Sequence, residues 1–501
     1  MRLSELLTRA GIEYSPEMGD REIKNIVTDS RKVERGSLYI CIKGLRFDGH
    51  DAIGDAIHRG ASAIVAEQVR NVFVGGAAIA RSVNTRADSS RLYSAWYGHP
   101  AERMRMIGVT GTNGKTSVCH ITRHLLTSMG SRCGMIGTLG CASGDGAIMQ
   151  DMHSSMTTPD PEVLYRELAQ MALEGCDTVV MEVSSHSLAL DKCAAIGFDT
   201  AVFTNLTRDH LDFHGDEEEY FAAKKKLFSM CRRAVINADG EYGKRLIDST
   251  DLPSERVVSV SSLSSGDYTA ENLRQRKDNT FEYLLRTPRG STQIGLPICG
   301  RFAVDNSLTA AAIACEYGMT AEGAALALSS VTSVPGRMER VDCGYAVPIS
   351  VYIDYAHTPD ALENVLRTLT HRAGRLILVF GCGGERDRGK RKMMAHVASR
   401  YAHFTVITSD NSRGEEPSQI FSDILRGMDK EKPHTVIPDR REAIRFAISI
   451  ARNGDTVLLA GKGHEQYEID RTGKHPFDEA FIAREAIREY FPKNEDKEFR
   501  H

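Results

Sequence analysis

The sequence lacks a Cys-x-x-Cys pair, an apolar amino-terminal segment and any apolar run long enough to cross a bilayer. Its 11 cysteines are an odd number spread along 501 residues, a distribution typical of reduced thiols in a cytoplasm. The first residues, Met-Arg-Leu-Ser-Glu, do not form the apolar core of a signal peptide. These absences predict a cytoplasmic protein without membrane insertion.

The chain also lacks an excess of basic charge, because 63 Lys and Arg residues against 67 Asp and Glu residues give a net charge of -4. A dedicated nucleic-acid-binding protein usually has a basic face, so we predict no nucleic-acid partner. Internal repeats and low-complexity tracts are absent as well. Hydrophobic residues make up 41% of the chain, enough for large cores. Nothing in the sequence demands assembly, so a monomer is predicted.

Two turn signals divide the chain. A helical stretch ends near His99-Pro100, and Val334-Pro335-Gly336 precedes a second strand-rich region. A chain of this length accommodates about three domains at roughly 100–200 residues each. We therefore predict domains at 1–99, 100–333 and 334–501.

The middle and last segments alternate strand and helix patterns, which is typical of α/β proteins. For example, Lys115–Met129 is predicted to form a helix with one apolar face, and Gly130 ends it. We predict a small mixed α/β amino-terminal domain, a central P-loop-type ATPase domain with a parallel sheet, and a Rossmann-like carboxyl-terminal domain. The predicted strands are 104–109, 178–183, 201–205, 234–237, 350–354, 376–380, 404–408 and 456–459.

A glycine-rich loop follows the strand at 104–109 and opens the helix that begins at Lys115. Backbone N–H groups at such a helix start favour a polyphosphate, and glycines let the backbone approach it closely. Lys115 can reach the terminal phosphates, and the Thr116 hydroxyl can bind Mg²⁺. The loop departs from the strict P-loop spacing, and an ordinary strand–helix turn is the alternative. The predicted ATP-binding residues here are Gly111, Thr112, Asn113, Gly114, Lys115, Thr116 and Ser117.

Two polar segments follow later strands of the same predicted sheet. Glu182 ends the strand at 178–183, on the edge where we expect the phosphate loop, so it is a candidate Mg²⁺ ligand. His186 can serve a second ion or a phosphate. The alternatives are a salt-bridged strand end for Glu182 and a structural role for His186. The histidines and aspartates of 204–215 lack the His-Glu-x-x-His spacing of a metalloprotease, which favours a phosphate-adjacent loop instead.

These segments together resemble the Mur ligase family. The resemblance rests on the phosphate loop, on Glu-Val-Ser-Ser-His at 182–186 and on Thr-Asn-Leu-Thr-Arg-Asp-His-Leu-Asp-Phe-His-Gly at 204–215. Further similar motifs lie at 29–31, 48–50, 335–339, 354–359, 381–384 and 461–465, so the resemblance covers nearly the whole chain. It implies an ATP-dependent ligase that phosphorylates a carboxylate and then forms an amide, releasing ADP and phosphate.

A lysine run at 224–226 lies in a predicted helix. Such runs are usually solvated. Apolar residues at spacings of three or four place Lys224 or Lys225 on the apolar face, and periodicity does not choose between them. The family resemblance implies that Lys224 is carbamylated and holds a second Mg²⁺ together with His186. A carbamate needs a neutral amine, which burial favours.

The resemblance further implies substrates and their binding residues. The implied substrates are ATP, a UDP-N-acetylmuramoyl-dipeptide and a diamino acid. The implied catalytic residues are Lys115, Lys224 and His186. The implied metal ligands are Thr116, Glu182, His186 and carbamylated Lys224. The remaining nucleotide contacts are Asn306, Arg337 and Asp354. The residues implied for the UDP-linked substrate are Thr28, Ser30, Leu45, Arg46, Phe47, Thr157, Thr158, Ser184 and Lys192, where Lys192 replaces the usual Arg.

The segment Asp-Asn-Ser-Arg at 410–413 resembles the Asp-Asn-Pro-Arg motif of family members that add diaminopimelate, with Ser412 in place of Pro. A buried Arg413 could grip the extra carboxylate of diaminopimelate, whereas lysine would leave it unpaired. The predicted substrate is meso-diaminopimelate, with lysine or ornithine as the alternative; without the resemblance, the motif also fits a capped turn. The implied amino-acid-binding residues are Arg386, Asp410, Asn411, Ser412, Arg413, Gly461 and Glu465.

Three other functions compete with this one. A folylpolyglutamate or cyanophycin synthetase would share the ligase design, but the Asp-Ser-Arg motif at 29–31 argues against a folate enzyme. An ATP-driven scaffold would need Lys115 but neither Lys224 nor Arg413. An inactive relative is disfavoured because Lys115, Thr116, Glu182 and His186 are all present.

Overall fold

The computed structural model describes residues 1–44, 47–69, 76–144, 146, 156–276, 280–370 and 374–493. These residues form three units, each built on a sheet with helices around it. The α/β class and the three-part architecture predicted from the sequence are confirmed. The predicted limits at 99/100 and 333/334 fall in connections between units, and the limits themselves stay a prediction.

The amino-terminal unit holds a four-stranded parallel sheet in the order β1-β2-β3-β4. Three helices accompany this sheet, and β2 and β3 are buried along their whole lengths. The strands are β1 (Asn25–Val27), β2 (Ser37–Ile40), β3 (Ala63–Ala66) and β4 (Ala78–Arg81), and the helices are α1 (Leu3–Arg9), α2 (Ile53–His58) and α3 (Thr85–Trp96).

The central unit holds ten strands. They are β5 (Arg105–Thr110), β6 (Cys133–Gly137), β7 (Gly140–Ala142), β8 (Thr178–Glu182), β9 (Phe198–Phe203), β10 (Cys231–Asn237), β11 (Val257–Ser261), β12 (Tyr268–Gln275), β13 (Phe281–Thr287) and β14 (Gly290–Leu296). The helices are α4 (Lys115–Ser128), α5 (Pro161–Leu173), α6 (Ser185–Ala189), α7 (Leu211–His214), α8 (Glu217–Lys225), α9 (Glu241–Ser249), α10 (Arg301–Glu316) and α11 (Ala321–Ser329).

The strand order in this sheet is β14-β13-β12-β11-β10-β9-β5-β8-β6-β7. The run from β12 to β6 is parallel, as the sequence predicted. Antiparallel pairing occurs at the two edges, between β6 and β7 and within the β12-β13-β14 meander. The β5 strand and its neighbours β8 and β9 lie at the centre. Their carboxyl ends therefore meet at one edge, where ligands bind in open parallel sheets.

The carboxyl-terminal unit holds a six-stranded sheet in the order β15-β16-β20-β17-β18-β19, parallel except for β15, and a small β21-β22 hairpin. The strands are β15 (Glu339–Arg340), β16 (Ser350–Asp354), β17 (Leu376–Phe380), β18 (Phe404–Ile407), β19 (His434–Val436), β20 (Thr456–Ala460), β21 (Tyr467–Asp470) and β22 (Gly473–Pro476). The helices are α12 (Pro359–Leu369), α13 (Gly389–Tyr401), α14 (Pro417–Leu425), α15 (Arg440–Ser449) and α16 (Glu479–Tyr490).

The units are joined in two different ways. One apolar core continues from α1 and α3 of the amino-terminal unit into α5 and β8 of the central unit. Ser90 reinforces this joint, because its hydroxyl lies 2.7 Å from the Tyr165 hydroxyl and donates to the Lys192 carbonyl at 3.0 Å. The carboxyl-terminal sheet instead has its own cores on its two faces. Its hydrogen bonds and ion pairs to the central unit include Asn113–Asp360 and Arg208–Asp387.

In the described ranges, no helix combines the length and the apolar character that a bilayer span requires. This agrees with the absence of long apolar runs in the sequence.

Candidate active site

The phosphate loop lies between the carboxyl ends of β5 and β9. A Cβ at Gly111, where φ is 149°, would overlap the Thr204 hydroxyl, so the close approach of these two loops requires glycine. Thr204 donates to the Asn113 carbonyl at 2.6 Å, and the Asn113 amide donates to the Asn205 side chain at 3.0 Å. The loop is therefore held in shape by the strand next to it.

Lys115 begins α4, and Gly114 before it takes the left-handed conformation with φ 87°. The Lys115 ammonium donates to the carbonyls of Gly111 and Thr112, both at 2.9 Å, so its side chain folds back over the loop. Burial lowers the pKa of Lys115, and the charges of Glu182 and Asp209 oppose that shift. Ser117 is buried in the first turn of α4.

Thr116 and Glu182 lie together under the loop. In the register of the sheet, Glu182 on β8 is the partner of Val109 on β5, and the Thr116 hydroxyl donates to Glu182 Oε2 at 3.0 Å. Thr138 donates to the same carboxylate from its amide at 2.8 Å and from its hydroxyl at 3.0 Å. Lys115 and Glu182 thus lie at one sheet edge.

A hydroxyl and a carboxylate so close together are oxygen ligands of the type that Mg²⁺ prefers. The residues Thr116 and Glu182 therefore fit the implied ion. Among the residues that the structure describes, no group of three His, Cys, Asp or Glu side chains is arranged to hold a metal. A second ion would depend on the modification of Lys224.

Lys224 is almost fully buried in α8, with 1% of its surface exposed, whereas Lys225 is partly exposed. The Lys224 ammonium donates to the Gly111 carbonyl at 2.8 Å and lies 4.3 Å from the centre of the Tyr220 ring. Burial, with the nearby charge of Lys115, holds the pKa of Lys224 well below its usual value. This shift favours the neutral amine, which is the form that carbamylation requires.

His186 follows Ser184, which caps α6 by accepting from the Ser187 amide at 3.1 Å. The imidazole lies among other rings, 4.8 Å from that of His210 and 4.2 Å from that of Phe213. Burial lowers the pKa of His186, which favours the neutral ring, whose unprotonated nitrogen can act as a ligand. His186 also interacts with the charge of Lys224, which places the two predicted ligands in one region.

Two of the three remaining predicted nucleotide-binding residues lie at the loop or at the start of α4, whereas Asp354, among the described residues, forms no hydrogen bond with the loop. Asn306 on α10 borders Gly114, whose added Cβ would lie 2.5 Å from Asn306 Oδ1. Arg337 comes from the carboxyl-terminal unit, yet it donates to the Thr116 hydroxyl at 3.3 Å and stacks over Tyr355 at 4.4 Å. Asp354 is buried at the end of β16 and accepts from the amides of Met338 and Ala356, both at 2.7 Å. Its direct partners are thus backbone groups of its own unit.

The residues implied for the UDP-linked substrate form two groups. Thr158 donates to the Glu182 carbonyl at 2.9 Å and accepts from the Ser184 amide at 3.0 Å, and the Thr157 hydroxyl lies 3.2 Å from the Thr138 hydroxyl. This group therefore borders the metal site. Lys192 is buried and forms an ion pair with Asp160 at 2.8 Å.

The second group lies in the amino-terminal unit. Thr28 is exposed after β1, Ser30 is half-buried, and Phe47 is 59% exposed. Leu45 and Arg46 lie outside the described residues. In the parts of the chain with described coordinates, no hydrogen bond joins this group to Thr157, Thr158 or Ser184.

The residues implied for binding the amino-acid substrate lie near the carboxyl ends of β17, β18 and β20. Asn411 donates to Glu465 Oε2 at 2.7 Å, and its amide oxygen accepts from Lys462 at 3.1 Å and from the Ile469 amide at 2.9 Å. Burial, together with the charge of Asp410, raises the pKa of Glu465.

Gly461 lies against Asp410, because a Cβ there would lie 2.7 Å from Asp410 Oδ2. Arg413 has a φ of 52° and donates to the carbonyls of Gly384 at 2.9 Å and Asn411 at 3.1 Å. Burial lowers the pKa of Arg413, and the charge of the exposed Arg386 adds to the shift. Among the described residues neither arginine forms an ion pair, so the pair offers two free charges to a carboxylate. Ser412 is buried between these groups.

Sequence reasoning missed several residues of this region. Lys462 and Arg440 are fully buried; Arg440 pairs with Glu479 at 2.7 Å and donates to the carbonyls of Ser409 and Ala460, which fixes the ends of β18 and β20. Thr138 was missed because it lies in a two-residue turn with no motif around it. A lysine or arginine directly after a buried strand or at a helix start was the available signal.

Three family profiles match consecutive parts of the chain: the Mur ligase family catalytic domain at 22–107, the Mur ligase middle domain at 109–314, and the Mur ligase glutamate ligase domain at 336–463. Together they cover most of the chain.

Several relatives match over nearly the whole length. Proteins named UDP-N-acetylmuramoyl-L-alanyl-D-glutamate–2,6-diaminopimelate ligase are 41% identical in Syntrophomonas wolfei (97% of this chain, 99% of the relative) and 42% identical in Clostridioides difficile (93% and 95%). A solved structure with the same name is 32% identical, with a TM-score of 0.64 over 95% of this chain and 99% of that chain. A MurF ligase from Thermotoga maritima in complex with ADP, 18% identical with a TM-score of 0.60 over 95% and 98%, shares the fold.

Proposed function

The chain belongs to the Mur ligase family, and on that premise we propose that it adds meso-2,6-diaminopimelate to UDP-N-acetylmuramoyl-L-alanyl-D-glutamate. The reaction consumes ATP, forms an amide bond and releases ADP and phosphate, and its product is a peptidoglycan precursor. The observation that carries the proposal is the end-to-end similarity to ligases named for this reaction.

The site geometry supports the chemistry. A carboxylate does not condense with an amine unaided, because its oxygen is a poor leaving group. One oxygen of the substrate carboxylate attacks the γ-phosphorus of ATP, the bond from that phosphorus to the β–γ bridging oxygen breaks, and ADP leaves. The amine nitrogen then attacks the carbonyl carbon of the acyl phosphate and loses a proton, and phosphate departs with the carbon–oxygen bond.

The protein positions the reactants and neutralises charge. Lys115 and the loop amides bind the terminal phosphates, and Arg337, Asn306 and Asp354 line the rest of the nucleotide site. Mg²⁺ held by Thr116 and Glu182, and a second ion held by His186 and carbamylated Lys224, would supply positive charge to the phosphates and the carboxylate.

The binding residues for the other substrates follow the same division of the chain. We assign the UDP-linked substrate to Thr28, Ser30, Leu45, Arg46, Phe47, Thr157, Thr158, Ser184 and Lys192. The diamino acid is assigned to the carboxyl-terminal unit, where the free charges of Arg386 and Arg413 suit its distal carboxylate. Because ATP and a UDP-linked precursor are cytoplasmic compounds, we place the enzyme in the cytoplasm, acting as a monomer.

A product assay tests this proposal. The purified chain is incubated with ATP, Mg²⁺ and UDP-N-acetylmuramoyl-L-alanyl-D-glutamate, and diaminopimelate, lysine and ornithine are supplied separately. We expect phosphate release in step with a tripeptide product for diaminopimelate, and little for the other two. Equal rates for all three would contradict the assignment of the amino acid. Phosphate release that needs neither the dipeptide nor an amino acid would contradict the ligase itself.

A further inference from the structure

One buried cation of the carboxyl-terminal unit has no role in the reaction described so far. Lys390 is the second residue of α13, and 8% of its surface is exposed. In the described part of the chain its ammonium group makes neither a hydrogen bond nor an ion pair. The other buried cations there each have a partner: Lys192, Lys224, Arg391, Arg440 and Lys462. Burying an ammonium group without a hydrogen-bond or ion-pair partner costs free energy, so this site favours binding of an anion.

Lys390 lies between the carboxyl edges of the central and carboxyl-terminal sheets, which face each other. Asp387, three residues before it, pairs with Arg208 of the central unit at 3.9 Å. A Cβ at the preceding Gly389 would lie 3.7 Å from the Arg208 guanidinium. The start of α13 therefore lies against the central loop that also carries Asp209.

The charges around Lys390 come from three different strand ends. They are Asp209 beyond β9, His357 beyond β16 and Cys382 beyond β17. Cys382 is buried and His357 is half-buried. Both are neutral, because desolvation lowers the pKa of the imidazole to about 4 and raises that of the thiol to about 12. Asp209 is therefore the anion among these three groups.

Asp209 also interacts with two lysines beside the phosphate loop, one at the start of α4 and one on α8. Its charge acts on the ammonium groups of Lys115 and Lys224 as well as on Lys390. One carboxylate is thus shared by three lysines, and Arg337 adds another cation beside Lys115. This surplus of positive charge lies where a triphosphate end and a substrate carboxylate would meet.

We propose that Lys390 binds the phosphoryl group that moves from ATP to the substrate carboxylate, so that the carboxyl-terminal unit supplies a cation to the phosphoryl transfer. This inference rests on the proposed ligase reaction for the identity of the acceptor, but binding of the γ-phosphate can be tested without it. The charge of Asp209 acts on both Lys115 and Lys390, which belong to the central and the carboxyl-terminal unit, so each unit would contribute one ammonium group to the phosphoryl group. Binding of ATP would then favour docking of α13 against the central unit.

The test compares two nucleotides that differ in the γ-phosphate. Dissociation constants for ADP and for the non-hydrolysable β,γ-methylene analogue of ATP are measured by calorimetry on the full chain with Mg²⁺. We expect Lys390→Met to raise the dissociation constant of the analogue by roughly 10-fold or more, as for loss of a charged hydrogen bond. The dissociation constant of ADP should stay within about twofold of the wild-type value. Lys390→Arg should recover part of the loss. Lys392→Met, an exposed lysine of the same helix, should change neither constant.

Two outcomes would overturn the proposal. Wild-type affinity of Lys390→Met for the analogue would show that no contact with the γ-phosphate exists. An equal loss for ADP and for the analogue would show that Lys390 supports the fold of the interface and does not touch the phosphoryl group. A chain that binds the analogue as expected but makes no tripeptide would instead contradict the proposed reaction and leave the phosphoryl contact standing.

Discussion

The phosphate loop and the amino-acid pocket lie at the carboxyl edges of two similar parallel sheets, but they are built differently. The phosphate loop is a short stretch of consecutive residues, held by the neighbouring strand end at Thr204 and Asn205. The pocket around Arg413 is assembled from four separate segments near 384, 411, 461 and 469. The phosphate loop is therefore complete without a ligand, whereas the two arginines of the pocket lack a carboxylate partner among the described residues.

The largest effect is expected at the phosphate loop and should not depend on the amino acid supplied. Lys115→Met removes the cation that neutralises the terminal phosphates, so we expect the rate of phosphate release to fall roughly 100- to 1,000-fold. The exposed Lys244→Met on α9 is the matched control and should retain the wild-type rate. A fall in the rate of phosphate release with diaminopimelate but not with another accepted amino acid would contradict the distinction between the phosphate loop and the amino-acid pocket.

The next effect separates two adjacent lysines of α8. Lys224→Ala removes the proposed carbamate and should lower the rate roughly 10- to 100-fold, whereas Lys225→Ala should not. A wild-type chain exchanged into ¹³C-bicarbonate should show a carbamate resonance that Lys224→Ala lacks. Because the pKa of Lys224 is held well below its usual value, the neutral amine that binds CO₂ is favoured, and protonation at lower pH should reduce both the resonance and the rate. Equal activity of the two variants would contradict the carbamate.

At the amino-acid pocket the effect should depend on the substrate. Arg413→Ala removes a guanidinium that would bind the distal carboxylate of diaminopimelate, so kcat/KM for diaminopimelate should fall roughly 10- to 100-fold. The low rate with lysine should stay the same, because lysine has no such carboxylate. The exposed Arg400→Ala serves as the control. A parallel loss for both amino acids would mean that Arg413 acts on the fold of the pocket.

A smaller effect concerns stability behind the pocket. Arg391 lowers the pKa of Glu415 to about 2 through hydrogen bonds at 2.7 and 2.8 Å. This pair stabilises the fold above the unfolded-state pKa of 4.5, and the contribution is lost as the pH falls toward about 2. Glu415→Gln should therefore cost about 1–3 kcal/mol at pH 7, and the difference should shrink below pH 4.5.

Urea unfolding at several pH values measures this difference. The neighbouring Glu416→Gln is the control, because its pair with Arg471 is exposed and should contribute less than about 1 kcal/mol. A Glu415→Gln difference that stays constant down to pH 2 would rule out the carboxylate as its source.

The smallest effect is expected at Ser412. Its φ is not positive, and within the described residues its amide donates no hydrogen bond, so a proline can replace it without losing a bond. We expect Ser412→Pro to raise the free energy of unfolding by roughly 0.4–1 kcal/mol through the unfolded state. Activity with diaminopimelate should stay close to that of wild type. A clear loss of stability would show that the backbone here does not suit proline.

The regular elements were predicted well where a strand is buried on both faces. The limits of β16 and β17 are as predicted, because the apolar run of β16 ends at Asp354 and that of β17 lies between Arg375 and Gly381. β5 is displaced by one residue, and β9 begins three residues early at Phe198. The β12-β13-β14 meander was missed, since its exposed, charged positions do not stand out as a buried strand does.

The site was less predictable than the fold. Consecutive residues such as those of the phosphate loop carry their own signal, but the choice between Lys224 and Lys225 depended on how α8 packs. The contact of Arg337 with Thr116 joins residues 221 positions apart, and no local pattern encodes it. Lys390 was missed for the same reason, because its neighbours come from three other strand ends. The catalytic assignments themselves stay predictions.

The continuous apolar core between the amino-terminal and central units has a practical consequence for engineering. Cutting the chain between them would expose a large apolar surface, so these two units should be expressed as one fragment. The buried residues of the two carboxyl-terminal cores all belong to that unit, with only Cys299 and Phe302 of the central unit packed against one of them, so this unit is the natural piece to exchange between relatives. A chimera joined at the boundary between the central and carboxyl-terminal units would have the donor's specificity for the added amino acid, provided that it keeps Arg337, which contacts the nucleotide site of the central unit.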